Sequence, residues 1–154
     1  MKKGFVIPLV LFITALVFAG GFHISVESGS GRNEALIVKT FGCHTPSDAK
    51  LTGIAEGIVN GERKTIKLQF KHDKKGVFTV AKQWNDEGVW VVSIKGYYNE
   101  INSVAIIEID SRSNMKFAKG EKVSDLKVKI TREEMKSEEI TKLLNNLNKN
   151  YSGV

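Results

Sequence analysis

A single cysteine, Cys43, stands in 154 residues. One thiol cannot form an internal disulfide, so the fold must be held by its core rather than by staples. Histidine is nearly as sparse. His23, His44 and His72 are far apart, with no Cys-x-x-Cys and no His-x-x-x-His between them, so the spacing that holds structural zinc is missing. There is no Gly-x-Ser-x-Gly and no Walker loop, which removes the hydrolase elbow and the nucleotide cradle. No apolar run reaches the ~20 residues of a membrane-spanning helix. Helical segments do not alternate with strands, which disfavours a parallel α/β sheet.

What is present begins with a leader. "MKKGFVIPLVLFITALVFAGG" has Lys2 and Lys3, an apolar run from Phe5 to Phe18 broken once by Pro8, and then small residues. This is the pattern of a secretory signal peptide over residues 1–19, with cleavage expected after Ala19. The rival reading is an uncleaved anchor, and then the membrane is touched through this segment alone. No cysteine stands directly after the run, so lipid attachment there is not expected. Removing 19 of 154 residues leaves 135, enough for one domain that buries about two-thirds of its unfolded surface. Loss of Lys2 and Lys3 lowers the formal charge from +6 to +4. The pI of 9.4 would otherwise point to nucleic acid. An exported chain, in the periplasm or secreted, is expected instead to meet another envelope or secreted protein, or an anionic surface such as a cell-wall polymer.

The middle of the chain reads as strands. In "TIKLQF", Ile66, Leu68 and Phe70 alternate with Thr65, Lys67 and Gln69, the period of a half-buried strand. "TGIAEGIV" precedes it, and Asn60-Gly61 between the two predicts a two-residue hairpin turn. "FHISVE", "EALIVKTF", "GVFTVAKQW", "VWVVSIKG" and "NSVAIIEID" add further runs. Trp90, Val92 and Ile94 share one face, and so do Ala105, Ile107 and Ile109. Six to seven short strands with turns at about ten-residue intervals predict an antiparallel β-sandwich over residues 20–110. Residues 111–131 are polar and read as a linker or arm, with "LKVKI" as a candidate short strand. Thr131-Arg132-Glu133-Glu134 has capping-box spacing. Ile140, Leu143, Leu144 and Leu147 then form one helical face. The pattern predicts an amphipathic C-terminal helix over 132–148, packed on its own domain or docked on a partner.

"GVFTVAKQWNDEGVWVVSIKG", with a strand opening in Gly-Val-Phe, an acidic turn and then Gly-x-Trp, resembles exported bacterial immunoglobulin-like domains of the YtkA/FixH-like type. "FGCHTPSDAKLTGIAEGIVNGERKTI" extends the likeness to uncharacterised secreted bacterial proteins, over about residues 34–110. The resemblance implies an immunoglobulin-like sandwich outside the cytoplasm. Some domains of that broad type are linked to copper handling or oxidase assembly, but no methionine- and histidine-rich copper motif is present to carry over.

Candidate chemistry is thin. Cys43 and His44 open the loop after "ALIVKTF", where Thr45-Pro46-Ser47-Asp48 forms a turn. Neighbouring side chains on a strand point to opposite faces, so the pair is read first as structural. The competing reading is a copper site, with Cys43, His44 and Met115 as a soft donor set for Cu(I). A cut after Gly20 would instead place His23 third and offer a square-planar Cu(II) site. Asp86-Glu87 and Glu133-Glu134 are accounted for by turn and helix-start chemistry. Trp90 is expected in the core, while Trp84, at a strand end, is the candidate for an exposed binding surface. Without a nucleophile–base pair or an oxyanion loop, an enzyme ranks last. The expectation is an exported, non-enzymatic binding or accessory module without a cofactor, and the alternative is a periplasmic copper-handling protein using the Cys43–His44 loop.

Overall fold

The computed structural model describes residues 21–42 and 48–152. Strands β1 (His23–Gly31), β2 (Glu34–Phe41), β6 (Val77–Val80) and β5 (Lys71–Lys74) form one antiparallel sheet in the order β1-β2-β6-β5. Strands β4 (Glu62–Lys67), β3 (Lys50–Val59), β7 (Val89–Tyr98), β8 (Ile101–Ile109) and β9 (Lys127–Thr131) form the other, in the order β4-β3-β7-β8-β9. Helix α1 (Ser111–Lys119) lies between β8 and β9, and α2 (Ser137–Ser152) ends the chain. With β1 as strand A, the two sheets read ABED and C′CFG. That is the immunoglobulin-like order with one added strand, extended here by β9. Among the described residues the strands number nine rather than six to seven. The unforeseen one is β5, whose sequence Lys-His-Asp-Lys is wholly exposed and carries no apolar signal.

Local chemistry sets the register. Asn60 (φ 51°) and Gly61 (φ 81°) both occupy the left-handed region. This is the type I′ geometry that matches strand twist, and it pairs Val59 with Glu62 and Ile54 with Lys67. The inner faces of both sheets interdigitate: Leu36, Val38, Phe78 and Val80 from one, and Ala55, Trp90, Val92, Ile94, Ala105, Ile107 and Ile109 from the other. Trp90 fits because its partner across the ladder is Gly57. A Cβ there would lie 2.4 Å from the indole.

The far face of β7 and β8 is apolar too. Val89, Val91, Val104 and Ile106 form a second cluster with Ile140, Leu144 and Leu147 of α2. The aliphatic stripe therefore packs on its own domain. Each buried aliphatic contributes about 1.5–3 kcal/mol before ordering costs. Arg63 ties the edge strand to this helix, binding Glu56 at 2.6 Å and the Thr141 hydroxyl at 2.8 Å.

Two expectations are corrected. Residues 111–131 are not a linker, since α1 and β9 both belong to the folded unit. Helix α1 starts where Asp110 caps Ser113 N–H at 2.7 Å and stops at Gly120, in the left-handed conformation, the usual C-terminal signal. Helix α2 starts at Ser137, not Arg132. Thr131 still pairs with Val104 in the sheet, and Glu134 is held by Lys95 at 2.5 Å, so the expected capping box is already committed elsewhere. Glu139 supplies half a box instead, accepting from Lys136 N–H at 2.9 Å.

Candidate functional site

The end of the sandwich that carries the β3–β4 turn holds a cleft of about 550 Å³, within the usual size of small-molecule sites. It lies between the β3–β4 turn, the β6–β7 loop, the start of α1 and the end of α2. Asn60, Glu87, Ser111 and Asn148 supply polar groups, and Ile58 and Met115 supply apolar surface. Met115 is 55% exposed.

The floor is built by the β6–β7 loop and α1 together. Asn114 is completely buried. Its amide donates to the Asn85 and Gly88 carbonyls, both at 3.1 Å, and its oxygen accepts from Trp84 Nε1 at 3.1 Å. Trp84 meets the Phe117 ring edge-on, with centroids 5.9 Å apart. Gly88 (φ 82°) closes the loop against β3, where a Cβ would sit 2.2 Å from the Ile58 carbonyl oxygen. Trp90 Nε1 donates to the Glu87 carbonyl at 3.0 Å.

Charge is fixed at the mouth. The Lys82 side chain is fully enclosed. Its ammonium bonds Asp86 at 2.9 Å and the Trp84 carbonyl at 2.7 Å, and lies 5.5 Å from the Trp84 ring. Arg32 forks onto both Asp86 oxygens at 3.1 and 3.2 Å and also caps α1 through the Ala118 carbonyl. The hydrogen bond from Lys82, with the Arg32 guanidinium beside it, holds the Asp86 carboxyl below its ordinary value. Burial pushes Lys82 below the ordinary lysine value, and the bonded Asp86 works against that shift.

Cys43 and His44 lie outside the described residues, as does the segment 1–19 expected to be a leader. Met115 lines the cleft. His23 is exposed, stacked on Phe41 with centroids 5.0 Å apart, and His72 packs its edge against Phe78. Among the described residues no three His, Cys, Asp or Glu side chains gather as a metal-holding group, and no helix is long and apolar enough to cross a membrane. Trp84 is a correction. It is 3% exposed and offers no surface platform, because α1 covers it with Asn114 and Phe117. The cleft itself was not foreseen, since its walls come from four separate segments. Only the Asn-Gly and Asp-Glu turns marked its rim. The chain matches no family model, no curated protein and no solved structure.

Proposed function

We propose that the chain is an exported, non-enzymatic binding or accessory module on an immunoglobulin-like sandwich, with the cleft as a recognition site. The observation that carries this is Asp86. A carboxylate clamped by one lysine and one arginine is held ionised, so it is a fixed part of the wall and a poor proton donor or acceptor near neutral pH. Polar groups from Asn60, Glu87, Ser111 and Asn148 around an Ile58–Met115 surface suit orientation of a ligand more than its turnover.

Two measurements test this reading. N-terminal sequencing of native protein should find a chain that starts at Gly20. An intact Met1 in envelope-bound protein would replace export by anchoring. Co-purification from the native envelope should recover a saturable partner that is lost when Met115→Arg fills the cleft, with the melting temperature unchanged. Equal recovery by both proteins would remove the cleft from recognition. Stoichiometric copper in untagged protein, lost on Cys43→Ser, would install the copper-handling reading instead.

A further inference from the structure

The positive charge of this molecule is concentrated in one place. Residues 62–75, "ERKTIKLQFKHDKK", carry six Lys and Arg against Glu62 and Asp73, a net of four positive charges. Of the 23 Lys and Arg, two more are in the leader, which leaves 15; of the 17 acids, 15 also remain. Outside the leader and this stretch the chain is therefore neutral. The stretch is also one structural feature. It comprises β4 and β5, the edge strands of the two sheets on the same flank of the sandwich, and nearly all its side chains are exposed. Arg63 and Lys64 are paired with Glu56 and Glu62. Lys67, Lys71, Lys74 and Lys75 form no ion pair among the described residues. Beside them, on the outer face of β4-β3-β7, runs a groove of about 410 Å³. Lys67 flanks it on one side and the Lys95–Glu134 ion pair on the other, so Lys67 is its uncompensated cation; the hydroxyls of Thr52, Thr65 and Ser93 line it, and Ile54 is part of its lining.

We propose that this flank and groove bind a linear phosphate polymer, with the four unpaired lysines following its charges and the hydroxyls in the groove bonding its oxygens. The proposal rests on the binding-module reading and names the ligand class. Three features select it. Lysines act as mobile point charges and need no fixed bidentate geometry, which suits a flexible polyanion. The β5 edge is four residues long and its register shifts between His72 and Lys74, so it is a poor template for an added acidic peptide strand. The exposed large apolar residues Phe41, Tyr97, Ile101, Met115 and Ile130 lie elsewhere, so nothing here inserts into a lipid surface beyond Ile54 in its groove.

The test uses the mature chain and long-chain inorganic polyphosphate, with titrations across a salt series. The quadruple variant Lys67→Gln, Lys71→Gln, Lys74→Gln, Lys75→Gln is compared with a charge-matched control on the other flank, Lys119→Gln, Lys122→Gln, Lys127→Gln, Lys129→Gln. The flank variant should lose at least about tenfold in affinity at low salt, and its slope of log affinity against log salt should flatten by about 3, at ~0.7 per phosphate contacted. The control should change by less than about twofold. Equal losses in both variants would reduce the effect to net charge and overturn the proposal, as would no binding by the parent protein. Equal or tighter binding to polyglutamate or to phosphatidylglycerol vesicles would overturn it in favour of an acidic protein or a membrane. Any of these failures leaves the cleft untouched, because Met115→Arg reads that site separately.

Discussion

At the scale of single residues, burial and pairing rank the side chains clearly. Trp90 is completely buried, and Trp90→Ala should cost ~3–5 kcal/mol in a denaturant melt. Lys67→Ala, on a wet strand face, should cost less than ~0.5 kcal/mol. Comparable small effects would mean that the faces are wrongly assigned. Asp86 gives a pH prediction. Its folded-state value is depressed by Lys82 and Arg32, so its contribution is fully present above the unfolded value of about 3.9 and is lost as pH falls through the folded value. Asp86→Asn should flatten the acid limb of stability against pH. A limb unchanged in the variant would sink this account. Trp90 was legible in the sequence because alternation with Val92 and Ile94 marks a core face. Trp84 was not, because its burial depends on Asn114, thirty residues away in a polar stretch without strong periodicity.

At the scale of elements, the strands with alternating faces and the Asn-Gly hairpin could be read directly. The double burial of β7 and β8 could not, since it follows from α2 covering their outer face. Alternation still described the inner face correctly, and Val89, Val91, Val104 and Ile106 filled the other positions. Helix α1 left only faint marks in the sequence, namely Asp110 before it, Asn114 and Phe117 three apart, and Gly120 after it. Asn114→Ala should test its role as the clamp on the β6–β7 loop. Losing three hydrogen bonds, one of them buried, and orphaning the Trp84 N–H should cost ~2–4 kcal/mol, with faster amide exchange confined first to residues 81–88. A uniform change in exchange would mean that α1 does not clamp that loop. Leu144 is 1% exposed, so Leu144→Ala should cost ~2–5 kcal/mol. Ending the chain after residue 136 should uncover the second cluster and abolish the main unfolding transition. A truncated chain with an unchanged melt would detach α2 from the fold.

At the scale of the whole molecule, β7 and β8 are shared walls. Their inner side chains belong to the sandwich core and their outer ones to the α2 cluster. The two clusters should therefore unfold together. Tryptophan fluorescence, which reports the first, and far-ultraviolet ellipticity, which includes α2, should give coincident transitions. Separated midpoints would show α2 melting on its own. An antiparallel sandwich was legible from the spacing of strands and turns, while its immunoglobulin-like order was implied only by the resemblance and the added β9 was only a candidate. The cleft at one end was hidden because turns, loop and helix meet there from distant parts of the chain.

The way β1 is held sets an order of events. The Phe22 carbonyl just before it accepts from Arg132 at 2.7 Å across 110 residues, and Ser28 within it accepts from Val123 N–H at 2.8 Å across 95. Strand β1 is thus locked by residues synthesised about a hundred positions after it. Until Arg132 has emerged, the leading end can pair with β2 but lacks its final fastenings. Such long sequence separations also slow folding. A fold fastened this way closes over β1 only once residues 123–132 are in place.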